Sequence, residues 1–299
     1  MYRREFIKIV IPIVAVGPHI LLSYDQPILS YGVIADPQYA DQDTRGTRFY
    51  RASLGKLQMA VDDLNKENLD FVVTLGDVID KNLASFADIL PIYKKLKAPH
   101  HLVLGNHDFD VADEDKDKVM DKLGMAKNYY SEVKSGWRFI YLDGTEVSLF
   151  RYAEGSENKK NAQIKLDELK EKKAPQAQAW NGGISDAQMK WFKQELKSAK
   201  AKNEKVVICN HWPVLPEGDV HNLWNAKELV SIIDPYDNVI LYMNGHNHKG
   251  NYTTQNGTHY VNFKGMVETE KDTAYATVDC YADRVEIKGY GLEPDRIAK

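Results

Sequence analysis

Residues Tyr31 to Asp41 read YGVIADPQYAD, an apolar run that stops at a carboxylate, with an amide two residues further on. A short β-branched run closed by polar residues and proline reads as a buried strand whose end leaves the sheet. The pattern recurs in DFVVTLGD, HHLVLGNHD, RFIYLDG, KVVICNH and NVILYMNGH, each ending in polar residues. Helical signals lie between the runs. In RASLGKLQMAVDDLNKEN, Leu54, Leu57, Val61 and Leu64 recur at i, i+3, i+7 and i+10 and form one apolar stripe. Ser185 followed by Gln188 reads as a capping box opening a helix with Met189, Phe192 and Leu196 on one face. Strands alternating with amphipathic helices predict a layered α/β domain.

The chain changes character twice. Between Glu154 and Ala179 it turns to Lys, Glu, Gln, Asn and Ala, a solvated helix or surface excursion inside the domain. From Asn251 onward, YTTQNGTHYVNF, AYATVDCY and DRVEIKGYG alternate at period two around turns such as Asn256-Gly257, which predicts antiparallel strands. With no internal repeat and no low-complexity tract, residues 28–299 read as one domain.

Composition narrows the partners. At 299 residues and 43% hydrophobic content the chain can bury a full core. A net charge of -4 with both signs interspersed offers no basic field for nucleic acid. Cys209 and Cys280 sit in apolar runs and read as buried inert thiols, with a bridge between them left open for an exported protein. Residues 1–27 begin with Arg3, Arg4 and Lys8, then run apolar from Ile9 to Leu22 with Pro12 and Pro18 inside. That run falls short of the roughly 20 residues a membrane span needs and fits an export signal, RREFIK resembling the twin-arginine type. An exported, periplasmic location is therefore expected, with a cytoplasmic one as the alternative; lacking an A-x-A site, the leader could also remain as an anchor or an added strand. No heptad seam marks an oligomer.

Polar residues suited to hard or borderline cations end the apolar runs: Asp36 with Gln38, Asp77 in GDVID, Asn106 and His107 in GNHD, His211 in NHWP, His246 with His248 in GHNH. Residues just beyond the carboxyl ends of strands in an α/β sheet converge on one crevice. Each piece alone is weak, since an Asp after a strand is usually a turn residue. Their joint occurrence, with glycines before Asp77, Asn106 and His246, carries the signal. His19, His100, His101, His221 and His259 lack the flanking pattern and read as structural or surface residues.

DPQ, GDVID, GNHD, NHWP and GHNH together resemble the calcineurin-like metallophosphoesterase signature, over roughly Ser30 to Gly289. The resemblance implies a four-layer α/β sandwich, two mixed β-sheets face to face with helices outside, and two divalent ions. One ion would take Asp36, Gln38, Asp77 and His248; the other Asp77, Asn106, His211 and His246, with Asp77 bridging. Gln38 departs from the family's usual histidine. An amide oxygen is harder than an imidazole nitrogen, which leans the site toward Mn²⁺ or Mg²⁺ and away from Zn²⁺, with Fe or Zn as the alternatives. With GTRFYRASL and NGGISDAQMKWF, the chain is similar to the manganese-dependent ADP-ribose/CDP-alcohol diphosphatase subgroup, which carries glutamine there.

The chemistry so implied is hydrolysis of phosphoanhydride bonds in nucleoside-diphosphate-linked small molecules. Two ions about 3.5 Å apart would neutralise phosphate charge and turn a bridging water into hydroxide near neutral pH. His107 is the candidate to protonate the leaving oxygen, with Asp108 orienting its ring. Arg48 and Arg51 are candidate phosphate grips, and Tyr39, Phe49 and Trp212 candidate base-stacking rings. A phosphomonoesterase or cyclic-nucleotide phosphodiesterase on the same scaffold is the runner-up. A non-catalytic metal-binding scaffold is the reading from another class, against which every ligand position and His107 is filled.

Overall fold

The structure, a computed structural model, describes residues 26–299. The expected export segment therefore lies outside the described residues except for Gln26 and Pro27, and so does His19. In chain order the elements are β1 (Leu29–Ile34), α1 (Ser53–Leu64), β2 (Phe71–Thr74), α2 (Ser85–Tyr93), β3 (His100–Leu102), α3 (Val119–Leu123), β4 (Tyr130–Lys134) and β5 (Trp137–Tyr141). There follow α4 (Glu157–Glu171), α5 (Asp186–Ala201), β6 (Lys205–Cys209), α6 (Ala226–Ile233), β7 (Val239–Asn244), β8 (Asn251–Gln255), β9 (Thr258–Asn262), β10 (Ala274–Cys280), β11 (Val285–Gly291) and β12 (Arg296–Ala298).

Two six-stranded mixed sheets form, in the orders β12-β11-β10-β1-β2-β3 and β4-β5-β6-β7-β9-β8. The strands preceding the motif loops run parallel within their sheets, β1 to β2 to β3 in one and β6 to β7 in the other. Their carboxyl ends therefore emerge on common edges, which sets the site. The tail pairs antiparallel as its alternation predicts, except that β9 joins β7 in parallel, and it is divided: β8 and β9 close one sheet, whereas β10, β11 and β12 close the other. The β8–β9 hairpin turns at Asn256 and Gly257, with φ of 49° and 83°, the paired positive values a tight two-residue turn requires.

Apolar side chains of both sheets meet in one cluster that includes Tyr31, Phe71, Trp137, Phe139, Leu241 and Val278. Tyr31 stacks on Phe71 at 4.8 Å, and Phe139 meets Phe71 edge-on at 4.9 Å. Truncating such a residue, Phe71→Ala for instance, costs about 3–5 kcal/mol. Cys209 and Cys280 belong to this cluster as free thiols, pushed far up in pKa by burial. Outer clusters pack α1 and α2 on one sheet through Leu57, Val61, Phe86 and Ile89, and α5 and α6 on the other through Phe192, Leu196, Leu229 and Ile233. The result is helix, sheet, sheet, helix.

Ser185 caps α5 as expected, its hydroxyl accepting from Gln188 N at 3.2 Å. Only half of the box forms, because the Gln188 amide turns inward to Asp143 N and O. In α4 only Ala162 and Leu166 are buried, the solvated helix its composition predicts. No helix among the described residues is long and apolar enough to cross a membrane.

Candidate metal centre

The loops after β1, β2, β3, β6 and β7 meet where the two sheets abut. Asp36, Gln38, Asp77 and His246 all hold φ between 43° and 68°, the left-handed region that costs a residue with a side chain about 1–2 kcal/mol. Such strain persists where surrounding structure over-determines it and concentrates at functional sites. Here the ladder continues past the strands: Gln38 N donates to Asp77 O at 2.8 Å and Val267 N to Asp36 O at 3.0 Å. The glycines before the ligand positions leave room for the ligands themselves. A Cβ at Gly105 would stand 2.2 Å from Asp77 Oδ1, and one at Gly245 2.3 Å from Asp36 Oδ2.

Besides the group of Asp80, His107 and Asp110, two sets of atoms each close to within 4.8 Å: Asp77, His211 and His246, and Asp36, Asp77 and His248. Asp77 belongs to both. His211 Nε2 lies 3.2 Å from Asp77 Oδ2, His248 Nε2 3.5 Å from Asp36 Oδ1, and His246 Nδ1 3.1 Å from His211 Nε2. Each ring is aimed by its other nitrogen: His211 Nδ1 at Leu75 O (2.7 Å), His248 Nδ1 at Glu268 Oε1 (2.6 Å), His246 Nε2 at Asn181 Oδ1 (2.9 Å). Partners of this kind fix ring orientation and tautomer in metal sites.

Electrostatics follow. Burial alone would lower His211 and His248, but Asp77 and Asp36 outweigh it and raise both to about 9, with Glu268 adding its share at His248. Burial would raise Asp77, yet the neighbouring imidazoles, His211 first, hold it well below the usual carboxylate range. Burial and the nearby His211 push His246 down, so it presents a lone pair.

The donor set fits a divalent pair by one further observation. Gln38 Oε1 and Asn106 Oδ1 are buried and have no partner in the protein, although Gln38 Nε2 donates to Asp77 Oδ2 at 2.9 Å. Unpaired amide oxygens beside carboxylates are costly unless a cation takes them. All the sequence-predicted ligand positions thus surround one locus, and Gln38, Asp77, Asn106, His107, His246 and His248 line a cavity of about 320 Å³ together with Arg48.

Other expectations need correction. Asp108 does not touch the His107 ring: its carboxylate accepts from Asp77 N, Val78 N and Gly105 N, and burial, then Asp77, raise it to about 7. It braces the backbone of the GDVID and GNHD loops. Asp80 stands in its place, Oδ1 lying 2.9 Å from His107 Nδ1. Arg51 points to solvent and pairs with Asp41 and Asp43 at 2.5 and 2.6 Å, whereas Arg48 Nη1 lies 3.4 Å from His107 Nε2. Trp212 is fully buried behind His211 and His246, Tyr39 is buried with its hydroxyl on Asp88, and Phe49 is outside the cavity lining.

His221 was expected to be structural or at the surface, yet it lines the cavity beside Trp180. Asn181 and Glu268 also escaped the sequence reading. For Asn181 a signal existed, in NGGIS directly before the capped helix; Glu268 sits in a loop without pattern. That loop is pinned by Lys56, whose buried ammonium donates to Glu268 O and Thr269 O at 3.1 and 2.8 Å.

Comparison with known proteins agrees with this geometry. The sequence profile of calcineurin-like phosphoesterases matches residues 29–250. A manganese-dependent ADP-ribose/CDP-alcohol diphosphatase from Mus musculus is 32% identical over 91% of this chain and 93% of its own length. One of the same name from Arabidopsis thaliana is 30% identical over 88% and 94%. Among solved structures, a dimetal phosphatase from Danio rerio superposes with a TM-score of 0.83 at 26% identity, covering 92% of this chain and 99% of that one.

Proposed function

The chain belongs to the calcineurin-like phosphoesterase family and is a metal-dependent phosphohydrolase, and from that premise we propose that it cleaves the phosphoanhydride of nucleoside-diphosphate-linked compounds, ADP-ribose and CDP-alcohols, with manganese. The observation that carries this reading is Gln38, whose Nε2 donates to Asp77 Oδ2 while its buried Oε1 is left unpaired, at the position where the general signature has histidine. A harder oxygen donor supports Mn²⁺.

In this proposal Asp36, Gln38, Asp77 and His248 hold one ion, and Asp77, Asn106, His211 and His246 the other. When bound, the ions supply charge neutralisation on the phosphate oxygens and acidify water. The chain's own groups do the rest. With Nδ1 against Asp80, the His107 ring turns Nε2 toward Arg48 and the cavity. Arginine is only a donor, so Nε2 accepts from it. A substrate phosphate that takes the Arg48 guanidinium frees Nε2 to take a proton from solvent and pass it to the leaving oxygen. Asp80, 2.9 Å from Nδ1, steadies the ring.

Side-by-side assay of ADP-ribose, CDP-choline, a cyclic nucleotide and p-nitrophenyl phosphate with Mn²⁺ tests the reading. Turnover of the first two at the highest kcat/KM is expected. Hydrolysis of the monoester alone, or of the cyclic nucleotide alone, overturns it. Export, supported by Arg3, Arg4 and the apolar run after them, is an accompanying proposal; recovery of full-length chain in the soluble cytoplasmic fraction refutes it.

A further inference from the structure

Trp180 stands at the cavity mouth with 38% of its surface exposed, unusual for the largest apolar side chain. Its ring lies 5.3 Å from His246 and 5.2 Å from His221, tilted by 41° and 47°. Both neighbours are fixed. His221 N and Nδ1 lie 2.8 and 2.9 Å from Asp219 Oδ1. The residue after Trp180, Asn181, donates to Gln176 O and Val220 O while its oxygen receives His246 Nε2. The two rings are therefore a pre-organised aromatic wall, adjoining the half of the centre built from His211 and His246. The cationic wall adjoins the other half: Arg48 contacts His107, and its backbone bridges to Glu268, which holds His248.

A ligand spanning both halves with its phosphates would thus present one end to Arg48 and the other to the Trp180 and His221 rings. We propose that Trp180 and His221 form the subsite on which the substrate's nucleobase stacks, an inference that rests on the nucleoside-diphosphate reading above. Stacking recognises the π-face every base has, so purine and pyrimidine are accepted alike. The subsite accounts for how one cavity takes both adenine and cytosine, and it selects nucleoside diphosphates over base-free ones. Cation–π capture of a choline head by Trp180 is the competing use of the same ring.

Trp180→Ala, Trp180→Phe and His221→Ala in the manganese-loaded enzyme test this. Steady-state kinetics are read with ADP-ribose, CDP-choline and CDP-glycerol, and inhibition with AMP, CMP and ribose 5-phosphate. Trp180→Ala should raise KM for all three substrates and the inhibition constants of AMP and CMP by ~10-fold or more. Expected alongside are kcat within about 3-fold, unchanged manganese content, an unaltered ribose 5-phosphate constant and substantial rescue by Trp180→Phe. His221→Ala should act in the same direction with a smaller effect. Loss confined to CDP-choline overturns the inference in favour of the choline head. Lost manganese, or an equal loss for ribose 5-phosphate, overturns it too, by making Trp180 a support for His246. If wild type turns over neither ADP-ribose nor CDP-alcohols, the functional reading fails by itself. AMP, CMP and ribose 5-phosphate inhibition of the remaining phosphohydrolase activity then still decides the stacking subsite.

Discussion

On the floor of the cavity Asp36, Gln38, Asp77 and His211 have no solvent exposure, and each stands within a few residues of a strand end. On the rim, Trp180 is 38% exposed and sits in the α4–α5 connection, and His221 lies in the long stretch between β6 and α6. The floor is positioned by parallel strands and left-handed backbone, so its chemistry tolerates little displacement. The rim is positioned by loop packing and a few side-chain hydrogen bonds, so it can change substrate preference without disturbing the floor. Removing floor groups should therefore destroy turnover or metal affinity, whereas removing surface groups should alter recognition or nothing.

The largest effect expected here separates chemistry from metal holding. His107→Ala should lower kcat by ~10² to 10⁴-fold with manganese content intact, and Asp80→Asn should lower it less. Turnover by His107→Ala within 3-fold of wild type would remove that residue from the mechanism. Next come the groups that aim the imidazoles: Glu268→Gln and Asn181→Leu should each weaken Mn²⁺ affinity by ~10 to 100-fold, measured by calorimetric titration. Wild-type affinity in both would mean the floor does not depend on these hydrogen bonds.

A third test uses pH. His211 and His248 are raised from an ordinary value near 6.5 to about 9, so their protonated forms stabilise the metal-free fold. That contribution is complete below about 6.5 and lost as pH climbs through 9, while manganese binding, which displaces those protons, grows stronger. The gain in Tm on adding Mn²⁺ to chelated protein should thus widen by roughly 5 °C between pH 6.5 and pH 9. A gain that shrinks over this range contradicts the assignment. Smallest of all, Arg51→Ala should leave kcat/KM within about 2-fold, because exposed pairs such as those with Asp41 and Asp43 contribute little. A larger drop would put Arg51 back in the site.

The same division explains what could be read from sequence. Strand runs ending in Asp36, Asp77, Asn106, His211 and His246 are visible because strand length and a terminating turn leave a fixed offset, and parallel ends converge. The solvated character of α4 and the Asn256-Gly257 hairpin are local features and equally legible. Contacts made across long loops are not. Nothing in spacing says that Asp80 instead of Asp108 faces His107, since both are buried carboxylates in neighbouring motif loops and only the backbone path decides which meets N–H groups. Trp212 and Trp180 likewise exchange roles because burial, set by the packing around His246, puts one behind the imidazoles and the other in front.

Asp77 belongs to both ligand groups, so in the proposed site its carboxylate would make the floor a pair instead of two separate sites. Titration of the metal-free enzyme with Mn²⁺, followed by electron paramagnetic resonance, reads that directly. Two ions per chain with an exchange-coupled signal, lost in Asp77→Asn, is the result predicted here; a single ion, or two ions with no coupling, would contradict it.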